Sequence, residues 1–213
     1  MSGKQTVSRL ISTAMAAFLL TACLSSAQAQ NAVDEWDSIQ TPPAPKLQTV
    51  SVDSHKTALL VMDFNTGNCV AGKRDRCVTA IPKIKALIDK ARASGTLIIH
   101  TAYPHMKPFV PDIAPLPGGE MIVAHADKFM GTRLDKILKD HGITTVIATG
   151  TSPNGAVLFT SFAAANRGYK VIVPVDTMPG DSAYSEQNAI WNIENDPGLN
   201  RSATLTSSDR IEF

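Results

Sequence analysis

Four short runs constrain this chain more than anything else in it. "TALLVMDF" (57–64), "TLIIHTA" (96–102), "ITTVIATG" (143–150) and "YKVIVPVD" (169–176) are apolar nearly throughout instead of alternating. A strand that is apolar on both faces is buried on both, which is the pattern of a parallel sheet covered by helices. Between the runs lie segments with apolar residues at helical spacing: 78–95 ending at Gly95, 131–142 with Leu134, Ile137 and Leu138 on one face, 156–168, and 184–196. "MIVAH" (121–125) and "ATLTSSDRI" (203–211) read as two further short strands. Strands and helices alternate without internal repeats, so an α/β fold with helices on both faces of a parallel sheet is expected.

The chain has 213 residues, enough for one domain, which the first buried run places over 56–213. Residues 30–55 are polar and hold Pro42, Pro43 and Pro45, as suits an extended arm or linker. Residues 1–29 read as a signal peptide. Lys4 and Arg9 precede an apolar run at 10–22, and "AQA" at 27–29 has the small-x-small pattern of a cleavage site. "LTAC" (20–23) also fits a lipobox, so the alternatives are a soluble periplasmic or secreted protein and a lipoprotein anchored through Cys23. A net charge of +1 with no basic tract argues against a nucleic-acid partner. Cys69 and Cys77, separated by "VAGKRDR", read as a disulfide-closed loop in an oxidising compartment. The alternative makes Cys69 a nucleophile, since it follows a strand end.

In such folds ligands bind beyond the carboxyl ends of the strands. Asp63 closes the first apolar run, either as a turn cap or as a general acid or base. Lys128 precedes a helix start and is either a solvated lysine or a partner for that carboxylate. His100, His105 and His125 lack the tight spacing of metal ligands, so no metal site and no cofactor are expected. "TGTSPNGAV" (149–157) joins a strand to a helix. It has the glycine spacing of a phosphate-binding loop without its lysine, and it is not a G-x-S-x-G turn. What remains is a helix start whose N–H groups suit an anion or a developing oxyanion.

"TALLVMDFN", "DKFMGTRLDKIL" and "GITTVIATGTSPNGAVLFTSFAAANRGYKVIVPVD" resemble, in order, the three blocks of the isochorismatase-like cysteine hydrolases, over about residues 56–210. The resemblance implies a single three-layer α/β/α domain with a mostly parallel six-stranded sheet, acting on a small molecule as a homo-oligomer. It assigns the family's catalytic aspartate to Asp63, its lysine to Lys128 and its cysteine to the position of Ala156. Asn65, Ser152, Pro153, Asn154 and Gly155 fall where the family contacts substrate, with Asn65 replacing a frequent Gln. The family's cis peptide bond falls on Ser152–Pro153, where proline makes a cis bond cheap. The metal-binding D-x-H of nicotinamidases reads Tyr103-Pro104-His105 here, which argues against that activity. Three readings follow: a hydrolase using Asp63 and Lys128 without a thiol, an inactive small-molecule binding protein, and an enzyme with Ser152, Thr160 or Cys69 as a substitute nucleophile.

Overall fold

A computed structural model of the chain describes residues 31–213. The expected signal segment and Cys23 lie outside the described residues. The chain divides at Pro43 and Ala44 into two units. In the first, residues 32–38 form turns, held by Asn31 Oδ1, which accepts the Val33 N–H at 2.9 Å.

The second unit holds eight strands: β1 (Val50–Ser51), β2 (Thr57–Met62), β3 (Leu97–Ala102), β4 (Glu120–Val123), β5 (Thr145–Gly150), β6 (Lys170–Pro174), β7 (Ala203–Thr206) and β8 (Ile211–Glu212). Its α-helices are α1 (Asp75–Ala93), α2 (Leu134–Asp140), α3 (Leu158–Ala165) and α4 (Ala183–Asn195). Six strands form one sheet in the order β4-β3-β2-β5-β6-β7. Every pairing in it is parallel, so the sheet is wholly and not just mostly parallel.

The apolar runs are explained by burial on both faces. Ala58, Leu60 and Met62 point into a core shared with α2, α3 and α4. Leu59 and Val61 point the other way, into a core shared with Ile81, Ile84, Leu87 and Ile88 of α1. Period-two alternation along β2 thus feeds two hydrophobic layers, and the result is an α/β/α sandwich.

Several boundaries differ from the expectation, among them that of the strand expected over 203–211, which ends at Thr206, and two more have a clear cause. The arm does not extend to residue 55, because Val50–Ser51 pairs in parallel with Ile211–Glu212 as a separate two-stranded sheet. Pairing with the far end of the chain draws residues 44–55 into the folded unit. Helix α1 begins at Asp75, inside the cysteine loop, where Asp75 Oδ1 accepts the Gly72 N–H at 2.7 Å. An acid in the first turn also favours the positive end of the helix. Among the described residues no helix is long and apolar enough to cross a membrane.

Strand order reverses between β2 and β5. From β2 the chain moves outward through β3 and β4, and from β5 it moves the other way through β6 and β7. Such a switch point opens a crevice beyond the strand ends. Asp63 follows β2 and Thr151 follows β5 at that place.

Candidate active site

Asp63 leaves β2 with φ 64, a left-handed conformation that aspartate tolerates better than most residues. Its N–H donates to Thr101 O at 3.1 Å, which turns the side chain out of the sheet and over the strand ends. Thr101 Oγ1 donates to Asp63 Oδ1 at 2.8 Å, and Lys128 Nζ donates to Oδ2 at 2.6 Å. Lys128 is fully buried, and Nζ also donates to His125 O at 2.7 Å. Burial pushes the Lys128 ammonium below its ordinary range, while Asp63 and, more weakly, Asp127 pull it back.

Lys128 is held through its own backbone. Its N–H donates to Thr160 Oγ1 at 3.3 Å, and its carbonyl accepts from Thr132 Oγ1 at 2.6 Å. Thr160 Oγ1 also donates to Ala126 O at 3.2 Å and is buried. Thr160 is thus a brace for the lysine segment, and this removes it as a substitute nucleophile. Cys69 is removed as well, because it is bonded to Cys77 as the loop composition suggested.

The elbow after β5 forms a single π-helical turn, Pro153–Val157, before α3. The N–H groups of Gly155 and Val157 both donate to Ser152 O at 3.3 Å. Glycine is required at 150, and at 155 it spares Ser152 a change of rotamer. A Cβ on Gly150 would stand 2.7 Å from Met62 Cβ, and one on Gly155 would stand 2.6 Å from Ser152 Oγ. Close approach of β5 to β2 brings the elbow beside Asp63. The cis peptide bond lies at Thr151–Ser152 and not at Ser152–Pro153. Pro153 instead opens the helical turn, where a missing N–H and a fixed φ suit a first position.

A cavity of about 420 Å³ lies over this point, and Asp63, Ser152, Gly155 and Ala156 line it. Four residues expected in the site do not: Lys128 lies buried behind Asp63, and the other three are the expected substrate contacts Asn65, Pro153 and Asn154. Asn65 is fully buried beneath it: Nδ2 donates to Asp63 O at 2.9 Å, and Oδ1 accepts from Gly67 N at 2.9 Å and Asn68 N at 3.1 Å. It shapes the turn after Asp63 instead of facing a ligand. Pro153 is buried, and Asn154 points to solvent.

Tyr103, His125, Thr151, Arg74 and Asp181 also line it, with Asn68 and Ala126. Tyr103 follows β3, a strand end where a ligand residue could have been sought. Arg74 had no such signal, because nothing in "VAGKRDR" says which side of the closed loop faces the sheet. Its Nε lies 2.6 Å from Asp181 Oδ1, yet Nε and Nη2 are buried without a partner in hydrogen-bonding geometry. Thr151 Oγ1 is likewise buried and unpartnered.

The three histidines part company. His100 is buried in β3 with Nε2 3.0 Å from Ile113 O, and burial pulls its pKa down to about 4. His105 sits in the loop after β3 at φ 61, and only His125 reaches the cavity. Among the described residues no three His, Cys, Asp or Glu side chains are grouped to hold a metal.

A model of the isochorismatase domain matches residues 57–210. The maleamate amidohydrolase of Pseudomonas putida is 26% identical over 149 residues, which cover 55% of this chain and 70% of that protein. An isochorismatase family protein from Desulfovibrio vulgaris superposes with a TM-score of 0.66 at 20% identity, covering 72% of this chain and 95% of that one. The N-carbamoylsarcosine amidase of Thermoplasma acidophilum does so with a TM-score of 0.63 at 23% identity, covering 74% and 99%. These two likenesses establish the fold.

Proposed function

The chain belongs to the isochorismatase family of hydrolases, and from that premise we propose that it cleaves a small molecule by acid–base chemistry from Asp63 and Lys128, without a thiol nucleophile. The observation that carries this reading is the buried 2.6 Å contact of Lys128 with Asp63, which lines a cavity in which position 156 is alanine. An amide is hydrolysed in this family's manner through a covalent intermediate, and alanine cannot form one. A vinyl ether needs none. Protonated Asp63 delivers its proton to the vinyl carbon remote from oxygen, the C=C electrons form the new C–H bond, and the ether oxygen and the carbon bonded to it share the positive charge as an oxocarbenium ion. Water adds to that oxygen-bearing carbon and returns a proton to Asp63. The hemiketal then collapses to a carbonyl compound and an alcohol.

Lys128 has a defined part in this. Burial disfavours its ammonium, which lowers the cost of passing a proton from Nζ to Asp63. Its second bond, to His125 O, keeps Nζ in place whichever group holds the proton. Ser152 and Ala156 stand at the elbow, where main-chain N–H groups suit the alcohol oxygen that gains negative charge as the hemiketal collapses.

Export is part of the proposal. It is supported by the charge, length and cleavage pattern of residues 1–29 and by the Cys69–Cys77 bond, which suits an oxidising compartment. The mass of the chain recovered from a bacterial envelope separates cleavage after Ala29 from lipidation at Cys23.

The hydrolase reading is tested with a panel of vinyl ethers, amides and esters against the unmodified chain, Asp63→Asn and Ala156→Cys. Turnover of vinyl ethers that Asp63→Asn abolishes, with amide turnover gained only in Ala156→Cys, is the expected result. Turnover that survives Asp63→Asn sinks the acid role. A ligand that raises the melting temperature while nothing on the panel is consumed replaces the enzyme by a binding protein on the same fold.

A further inference from the structure

We infer that Arg74 makes this cavity selective for small molecules bearing a carboxylate, and that it is a specificity-determining residue of the cavity wall. The inference rests on the cavity being the substrate site, as proposed above. The loop that carries Arg74 is closed at both ends, by the Cys69–Cys77 bond and by the start of α1. Its guanidinium is drawn off solvent, with only 12% of the side chain exposed.

The charges in the cavity do not cancel locally. Asp63 is matched by Lys128 at 2.6 Å, both of them buried. Arg74 is matched only by Asp181, whose side chain is 79% exposed and therefore screened by water. The contact also lies off the Nε–H axis, since Nε counts no acceptor despite the 2.6 Å approach. Nη2 has no acceptor either. A guanidinium offers five donors in a rigid fork and accepts nothing, so its unmet need is for a planar acceptor. A carboxylate supplies two acceptor oxygens in matching geometry. Thr151, whose Oγ1 is buried and unpartnered, lines the same cavity. Buried donors left unmet are costly, and a neutral carboxamide satisfies this fork poorly because half of its polar face is itself a donor.

The experiment compares matched acids and amides: benzoate with benzamide, and succinate with succinamide. Binding is read calorimetrically on the full chain and on Asp63→Asn, so that affinity is independent of turnover. The unmodified chain should favour each acid by roughly tenfold or more, the scale of a charge-assisted bond. Arg74→Gln should abolish that preference while circular dichroism stays unchanged, and Arg74→Lys should retain part of it. Asp181→Asn, at an exposed site, should raise affinity for the acids by a few-fold and leave the amides alone, since it removes a competing carboxylate. Equal binding of acid and amide by the unmodified chain overturns the inference and leaves solvent as the partner of those donors. So does a preference that survives Arg74→Gln, or an Asp181→Asn effect that is the same for acids and amides. Acid-selective binding without turnover of any panel compound overturns the hydrolase reading and leaves this one standing.

Discussion

In one part of the site, Asp63 and Lys128 are buried and each charged atom has a partner; in another, Arg74 carries buried nitrogens that have none. The first arrangement is what a fixed acid–base pair requires, since both groups must keep their geometry before any ligand arrives. The second is incomplete until something brings an acceptor. The contrast separates the part of the site that does chemistry from the part that chooses what enters. The closed side is anchored on β2 and β3 of the central sheet, and the open side hangs on a disulfide loop and the segment before α4.

The closed side can be broken directly. Asp63→Asn should lower kcat by on the order of 1,000-fold, within the usual range for loss of a general acid. Steady-state kinetics on a vinyl ether from the panel checks this. Lys128→Met should cost about 3–5 kcal/mol of stability, because it leaves the Asp63 carboxylate buried without its counter-charge. Urea unfolding at neutral pH measures it, and a loss under 1 kcal/mol would mean that Asp63 is better solvated than its burial indicates.

His100 lies outside the cavity and is a buried titratable group whose ring nitrogen meets Ile113 O. It titrates near 6.5 when unfolded and near 4 when folded, chiefly because burial disfavours its charged form. Between those values the unfolded chain binds more protons. The contribution is therefore intact above pH 6.5 and is lost as pH falls toward 4, by about 3 kcal/mol in all. The drop in stability from pH 7 to pH 4 should be smaller by that amount in His100→Gln. An identical drop in both chains would mean that His100 is protonated in the folded state.

The open side should yield least in stability. Replacing Cys69 and Cys77 with serine should cost about 2.5 kcal/mol on loop-closure grounds, since the ring is short. The melting curve reads this effect. The same variant should leave Asp63-dependent turnover of uncharged substrates nearly intact, because the loop holds neither Asp63 nor Lys128.

What the amino-acid sequence shows of this molecule follows how local the physics is. β2, β3, β5 and β6 are legible because burial on both faces writes a continuous apolar run into each. β1 and β8 are not, since two-residue strands from opposite ends of the chain carry no pattern of their own. Asp63 stands out as a carboxylate closing an apolar run, and Lys128 becomes its partner only through a contact 65 residues apart. Asn65 is misread because a residue two past a strand end can face the cavity or fold back under the turn, and its bonds to Asp63 O and Gly67 N decide for the turn. Arg74 is invisible in the same way, as its direction is set by the disulfide and by where α1 begins.

The central claim is that Asp63 works here without a thiol. Its most direct measurement is kcat/KM for a carboxylate-bearing vinyl ether, taken for the unmodified chain before and after iodoacetamide and for Asp63→Asn. Alkylation should change nothing, and Asp63→Asn should lose on the order of 1,000-fold. Turnover that alkylation abolishes, or that Asp63→Asn leaves intact, would contradict that claim.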